Sequence, residues 1–96
     1  MTAQDLKRPS VRAHIYDSID AEREHQISLG YTREHDLKHG GLEHLWHYSG
    51  KYAYAGYCDV YYDSKVVAAR QKFIQAIALL VAAVELLDHQ SSTENT

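Results

Sequence analysis

Carboxylates and imidazoles concentrate in the 23 residues from Glu22 to His44, EREHQISLGYTREHDLKHGGLEH. Within this segment, the triplet Glu34-His35-Asp36 and the nearby His39 offer ligand types that suit zinc, manganese or iron. No HExxH motif and no duplicated Glu-x-x-His pair accompanies them. We therefore expect no metal and no cofactor. The favoured interpretations are hydrogen bonds that anchor a loop and contacts with a ligand or partner, with a catalytic metal as a third alternative.

Tyrosines form a second concentration. Six of the eight fall between residues 48 and 62, with Lys51 among them and further basic residues following. Tyrosine rings stack on bases, and their hydroxyls bond to phosphates or sugars, so this segment suits a nucleotide. Tyrosine is also enriched at protein interfaces, which gives a second interpretation. In a third, Tyr52 and Tyr57 pack in the core while the other tyrosines face water.

A helix and the loop after it are predicted to contain most of the segment that is rich in carboxylates and imidazoles. The helix begins at Pro9 or Ser10, because both residue types favour a helix N-terminus. Its isoleucines recur near helical spacing, and Gly30 is a natural C-terminal stop. Residues 31–41 are predicted to form a loop that ends at a pair of glycines.

The second predicted helix carries the first tyrosines. It runs from Leu42 to about Ala55, with apolar or small residues on one side. Ser49, Ala53 and Gly56 would let another helix approach closely on that side. A strand over residues 52–62 is the alternative, because tyrosine and valine favour strands.

The third predicted helix spans residues 65–89, with Asp63 or Ser64 as its cap, and contains no glycine or proline. Its stretch 76–87, AIALLVAAVELL, is too short to span a bilayer, which needs about 20 apolar residues. A helix that is apolar nearly all round must be covered on several sides. We therefore predict an all-α fold, a small three-helix domain assembled as a homo-oligomeric helical bundle. A compact three-helix core around this helix is the alternative.

The length of 96 residues allows one domain, predicted over residues 9–89 with flexible tails at 1–8 and 90–96. The net charge of -3 argues against general DNA binding. The single cysteine, Cys58, excludes an intrachain disulfide and a cysteine-based zinc motif. No apolar signal segment follows the polar N-terminus, so we expect a cytoplasmic protein with no membrane association.

Several of these residues also match a longer pattern: Glu22, Gln26, Gly30-Tyr31-Thr32, Glu34-His35-Asp36, His39, Tyr52-Ala53 and Glu85-Leu86-Leu87-Asp88. The pattern, E-x-x-x-Q-I-x-x-G-[YW]-T-x-E-H-D-D-x-H before an Ala- and Tyr-rich helix and a long apolar helix, resembles a family of small proteins from tailed phages and prophages. Leu37 stands where the pattern has its second Asp. The resemblance covers about residues 21–89. It implies a helical fold and a phage setting, without a settled activity.

The resemblance leads us to expect a non-enzymatic phage accessory protein that acts in the cytoplasm of the infected host. It would bind a nucleotide-derived immune signal, as an anti-defence protein, or a host protein. A metal-dependent nucleotide pyrophosphohydrolase similar to the MazG-like all-α enzymes is the alternative, although the EExxE half of their motif is missing. We assign no catalytic residue. The expected ligand-binding residues are Gln26, Tyr31, Thr32, Glu34, His35, Asp36, His39, Tyr48, Lys51 and Tyr52.

Overall fold

The computed structural model describes residues 3–94, and the side chains of residues 10–91. It contains four helices in these residues: α1 (Ala3–Ser28), α2 (Arg33–Lys38), α3 (Leu42–Asp63) and α4 (Val66–Glu94). No strand occurs between residues 3 and 94, so the all-α prediction is confirmed. The prediction of three helices was wrong, because residues 33–38 form a further short helix between the first and second predicted ones.

Helices α3 and α4 form an antiparallel hairpin. The turn between them is made by Ser64, which adopts a left-handed conformation (φ 54°). The backbone N–H groups of Ser64 and Lys65 donate to the last carbonyls of α3, so these acceptors are satisfied where the helix ends. Ser64 therefore ends α3 and does not cap the following helix as the sequence suggested. An ion pair between Lys72 and the buried Asp59 joins the two helices further along.

Small residues let α4 pack closely against its neighbours. Ala69, Ala76, Ala78, Ala82 and Ala83 are all buried along it. On α3, Gly56 lies so near α4 that a Cβ atom added to it would be 3.2 Å from the Ala69 carbonyl oxygen and from the Phe73 ring. This close approach agrees with the prediction that a small-residue face on the second helix admits a neighbouring helix. The apolar core is centred on Leu45, Ala82, Ala83 and Leu86.

Helix α1 packs mainly on α4 rather than on α3. Arg70 of α4 donates to the Ser18 hydroxyl of α1 (3.1 Å), and Arg23 of α1 pairs with Glu85 of α4 (3.1 Å). The C-terminus of α1 is as predicted, because Gly30 adopts a positive φ (99°) and the N–H of Tyr31 bonds back into the last turn.

The segment predicted as a loop contains α2, a helix of six residues. Thr32 caps it, since its hydroxyl accepts a hydrogen bond from the His35 N–H (3.3 Å). Gly40 and Gly41, with φ of 109° and 60°, turn the chain from α2 into α3. The loop prediction for residues 31–41 was therefore wrong, since six of these residues form a helix.

Helix α3 is longer than predicted. It continues past Ala55 to Asp63, so the alternative of a strand over residues 52–62 was also wrong. Packing of Gly56 and Asp59 against α4 outweighs the strand preference of the tyrosines around them. Tyr57 is half-exposed and Tyr52 is also exposed, so neither packs in the core as one interpretation required. At the other end of the chain, α1 begins at Ala3, before the predicted start at Pro9.

Helix α4 is long and apolar enough over Val66–Ser91 to cross a membrane, by length and composition alone. This stretch is longer than the apolar segment 76–87, which by itself is too short to span a bilayer. Core helices of soluble proteins satisfy the same criterion, and part of α4 is buried against its neighbours.

We expect Gly56→Val to lower the free energy of unfolding by about 1–3 kcal/mol, because the larger side chain must displace the α4 backbone or the Phe73 ring. Gly50→Val is the matched control on the same helix, since nothing lies within 4 Å of a Cβ atom there. Chemical denaturation of both variants measures the difference. Equal stabilities would show that the close approach at Gly56 is not a constraint.

We expect Thr32→Ala to lower stability by about 1 kcal/mol through loss of the α2 cap. The same change should raise the pKa of Glu34, which its own backbone N–H and then the Thr32 hydroxyl hold below its usual range. A lowered pKa stabilises the folded state above the unfolded-state pKa, and that contribution is lost as the pH falls. Thermal unfolding and NMR titration of Glu34 measure the two effects. Thr32→Ser, which keeps the hydroxyl, should behave as the wild type.

Candidate functional site

The four helices meet around a cavity of about 240 Å³, which we call the tyrosine–histidine cavity. One wall is formed by α1 and the turn after it, a second by α2, and a third by α3. Helix α4 contributes a single leucine. The lining residues are Arg23, Gln26, Tyr31, His35, Asp36, His39, His44, Tyr48, Tyr52 and Leu79.

The structure brings seven of the ten expected ligand-binding residues together in this cavity: Gln26, Tyr31, His35, Asp36, His39, Tyr48 and Tyr52. The other three lie outside its lining. Thr32 caps α2 and lines a smaller neighbouring cavity of about 120 Å³. Glu34 is exposed, and the Lys51 ammonium lies 5.7 Å from the centre of the Tyr48 ring.

Aromatic rings form much of the cavity wall. The His35 ring stacks on that of His39, with ring centres 4.1 Å apart, and meets the edge of Tyr31 at 5.0 Å. On α3, the rings of His44 and Tyr48 lie 4.8 Å apart. The helical conformation of α2 explains this grouping, because His35 and His39 lie about one turn apart on one face. Such a wall presents ring faces and edges to a flat ligand.

The hydrogen-bond partners of His35 and His39 determine which ring nitrogen of each carries the proton. The Nδ1 atom of His39 lies 2.8 Å from the carbonyl oxygen of His35. A carbonyl only accepts, so Nδ1 is the donor, and in the neutral ring Nε2 keeps its lone pair. The His35 Nδ1 atom lies 3.2 Å from the Asp36 carboxylate and donates to it when that group is ionised. Each neutral ring therefore has one nitrogen available to a ligand.

Asp36 is the buried carboxylate of the cavity, with 3% of its surface exposed. Its main-chain carbonyl accepts from the N–H groups of His39 and Gly41 (3.2 and 2.6 Å), which fixes the turn out of α2. A carboxylate out of contact with water requires donors or a cation. His35 supplies one donor, and Asp36 itself lines the cavity.

Gln26 is buried, and its two amide atoms have different surroundings. Its Nε2 atom donates to the main-chain carbonyl of Gln75 at 3.4 Å. Its Oε1 atom is buried without a hydrogen-bond partner. An unsatisfied buried acceptor costs about 1–3 kcal/mol, so a group that donates to it inside the cavity would be favoured.

Arg23 lies where the two cavities meet, and it lines both. Its Nε atom bonds to Glu85 at 3.1 Å and its Nη1 atom to the Tyr31 carbonyl at 3.1 Å. The guanidinium is buried, and these partners hold it against the turn after α1. Its charge makes this side of the cavity favourable to an anion.

The structure also changes the set of residues able to hold a metal. Among the described residues, ligand atoms of His35, Asp36 and His44 all lie within 4.8 Å of one another. The sequence had grouped His35 and Asp36 with Glu34 and His39, but Glu34 is exposed. His44 takes its place because the turn at Gly40 and Gly41 brings the first turn of α3 beside α2.

Sequence reasoning missed three cavity residues, namely Arg23, His44 and Leu79. Arg23 precedes Gln26 by three residues and so shares its face of α1. This spacing could have placed Arg23 in the site together with Gln26. His44 was noted as part of the acidic and imidazole segment but was not assigned to the site. Leu79 lies in the apolar helix, where nothing in the pattern sets it apart from other core leucines.

The remaining tyrosines of α3 lie away from the cavity. Tyr54, Tyr57, Tyr61 and Tyr62 are exposed, and the rings of Tyr57 and Tyr61 stack at 5.4 Å. The pKa of Tyr54 is raised, first by a hydrogen bond with Cys58 one turn away and second by the negative charge of the Cys58 thiolate. The tyrosine segment thus divides into a cavity portion and a solvent-facing portion.

No protein-family model, no curated protein and no solved structure matches this chain at a significant level. The geometry of the cavity is therefore the basis for any functional interpretation.

Proposed function

We propose that this chain is a non-enzymatic binding protein whose tyrosine–histidine cavity holds the base of a nucleotide-like ligand. The observation that carries the proposal is the grouping around one cavity of aromatic rings, the buried Asp36, and Gln26, whose Oε1 atom is buried without a hydrogen-bond partner. Rings favour a flat partner through stacking, while the two acceptors favour a partner that donates hydrogen bonds.

The acceptors narrow the ligand class. A carboxylate accepts from the amino group of cytosine, and a glutamine amide recognises adenine through its amino group. Asp36 and Gln26 thus favour a base that carries an exocyclic amino group. Asp36 repels a phosphate, so the phosphates of the ligand would lie towards Arg23 or outside the cavity near Lys51.

The size of the cavity is consistent with enclosure of part of a ligand. Its volume of about 240 Å³ is below the roughly 300–1,000 Å³ of typical small-molecule sites. A base fits such a space better than a complete dinucleotide. The rest of the ligand would extend into solvent, beside the exposed side of α3.

The resemblance to phage and prophage proteins suggests a setting for this binding. In an infected cell, such a protein would act in the host cytoplasm and sequester a nucleotide-derived immune signal, as an anti-defence protein. A host protein bound through the exposed tyrosines of α3 is the other form of the proposal. Catalysis as in MazG-like enzymes has less support, because Glu85 pairs with Arg23 and Glu34 lies outside the cavity lining.

We also propose that the protein is a homo-oligomer, formed through α4. Five large side chains at a spacing of four, three, four and three residues are between 37% and 55% exposed along this helix: Phe73, Ile77, Leu80, Val84 and Leu87. This is the spacing of a coiled-coil seam. In heptad notation, its β-branched residues occupy the a positions and its leucines d positions, a combination typical of parallel two-stranded coiled coils.

The shape of the chain supports this proposal. Its radius of gyration is 15.8 Å, whereas a compact chain of this length has about 12–13 Å. The long helices surround a small core and leave large apolar side chains exposed. A second copy that places its own α4 along the seam would bury this surface.

Nucleotide binding is tested by thermal unfolding of the chelator-treated protein with cyclic, linear and NAD-derived nucleotides. A ligand at 100 times its Kd adds about 2.7 kcal/mol of stability, which raises the Tm by roughly 10 °C or more in a domain of this size. Adenine or cytosine compounds should give the larger shifts. No shift with any of these nucleotides at millimolar concentration would exclude the small-molecule proposal.

Gln26→Leu provides the matched variant. It should abolish the ligand-induced rise in Tm while leaving the unliganded protein about as stable as the wild type, because removal of the unpartnered Oε1 acceptor offsets loss of the long Nε2 hydrogen bond to the Gln75 carbonyl. His47→Ala, on an exposed face of α3, should keep the full shift. Equal shifts in wild type and Gln26→Leu would show that the ligand binds elsewhere.

Oligomerisation is tested by light scattering at micromolar concentration. We expect a mass of twice 11.0 kDa for the wild type, and the monomer mass for Leu80→Glu, whose charge lies in the seam. Val67→Glu is the control, because this residue is also on α4 but outside the seam and 85% exposed. A monomeric wild type that sediments with lipid vesicles would instead assign the seam to a membrane.

A further inference from the structure

We propose that His35, Asp36 and His44 bind a divalent transition-metal ion at one side of the tyrosine–histidine cavity. Two imidazoles and a carboxylate meet there, with their ligand atoms within 4.8 Å of one another. This set suits zinc, and it also resembles the two-histidine, one-carboxylate sets that hold iron. It provides three protein ligands and leaves further coordination positions for water or a ligand.

The distances require only a small adjustment. Ligands about 2.1 Å from a tetrahedral metal lie about 3.4 Å apart. Two atoms at the observed limit of 4.8 Å would each move by about 0.7 Å to reach that spacing, which rotation of an imidazole or carboxylate provides. The His35 Nδ1 atom and the Asp36 carboxylate are 3.2 Å apart because they share a hydrogen bond. The ring therefore binds the ion through Nε2, or through Nδ1 once its proton is lost and the ion replaces the hydrogen bond.

The residues around the three ligands are suited to orienting them. The ring of His39 stacks on that of His35, and its Nδ1 atom donates to the His35 carbonyl. The ring of His44 contacts Tyr48 on α3. The carbonyl of Asp36 is held by two backbone N–H groups of the following turn. These contacts hold the main chain of His35 and Asp36 and the rings of His35 and His44 in place, and so limit the positions of the three ligands.

Gln26 supplies an independent observation that points to an occupant. Its side chain is more than nine-tenths buried, lines the same cavity, and has an Oε1 atom without a donor. Water bound to a metal is a strong hydrogen-bond donor. A metal-bound water in this cavity would supply the donor that Gln26 lacks, while the ion would balance the buried charge of Asp36.

Metal binding is distinct from the proposed nucleotide binding, although the two share a cavity. Both use the carboxylate of Asp36, but only the cation requires His44, and only base recognition requires the rings together with direct contact to Gln26. Nucleotide binding is measured on chelator-treated protein, so either proposal fails or holds without the other. If both hold, the open coordination positions would face the bound ligand.

The test is a titration of the purified, chelator-treated protein with Zn²⁺ by calorimetry, and with Co²⁺ by visible absorption. We expect one ion per chain and a Co²⁺ spectrum typical of low coordination number. His44→Ala and Asp36→Asn should weaken binding by more than about 100-fold, beyond the 10–100-fold that loss of an orienting residue costs. His39→Ala should fall within that smaller range.

His47→Ala is the matched control, because His47 lies three residues after His44 on α3 and outside the cavity lining. It should bind Zn²⁺ and Co²⁺ as the wild type does. Circular dichroism of each variant in chelator confirms that it is folded before metal is added. Absence of binding to the wild type, or equal losses in the His44 and His47 variants, would overturn the proposal.

Discussion

The buried guanidinium of Arg23 is the contact on which the geometry of the site depends. It joins α1, through its own backbone, to α4 at Glu85 and to the turn before α2 at the Tyr31 carbonyl. Because Glu85 is half-exposed, the ion pair itself contributes little, at most about 1 kcal/mol. The larger effect is positional, since a buried guanidinium requires these acceptors to stay in place. The turn that leads into α2 is thereby held against α4, and with it the segment that carries His35 and Asp36.

The long helices could be predicted because the residues that favour and end them lie within the helices themselves or directly beside them. Helix α4 has an uninterrupted run of helix-forming residues, and Gly30 marks the end of α1. Helix α2 was missed because six residues are too few to show a period, although Thr32 before an acidic first turn was a usable capping signal. The length of α3 was misjudged because tyrosine-rich sequence favours strands, whereas the close contact of Gly56 with α4 decides the outcome.

The part of the site that could be predicted from the sequence is the part whose residues are close together in the chain. His35, Asp36 and His39 were predicted to act together because they are near one another in the chain, and all three line the cavity, whereas Glu34, which was grouped with them, does not. His44 joins them only through the direction in which Gly40 and Gly41 turn the chain, and such directions are not encoded in residue spacing. Arg23 was missed for a different reason. Charged residues of a helix are usually solvated, so a buried one is recognisable only once its partners are known.

The way α1 is attached has a consequence for how the molecule folds and opens. The α3–α4 hairpin is formed by residues close in sequence, whereas α1 reaches α4 across a long stretch of chain and has few contacts with α3. Contacts of this kind form late in folding, and their loss is the least costly way for a native protein to open. Since α1 supplies Gln26 and Arg23, we expect their side of the cavity to form last in folding and to open first. Any ligand in the cavity would therefore contact both α1 and the α3–α4 hairpin and hold them together. Its binding would slow amide hydrogen exchange along the whole of α1, and not only at the residues it contacts.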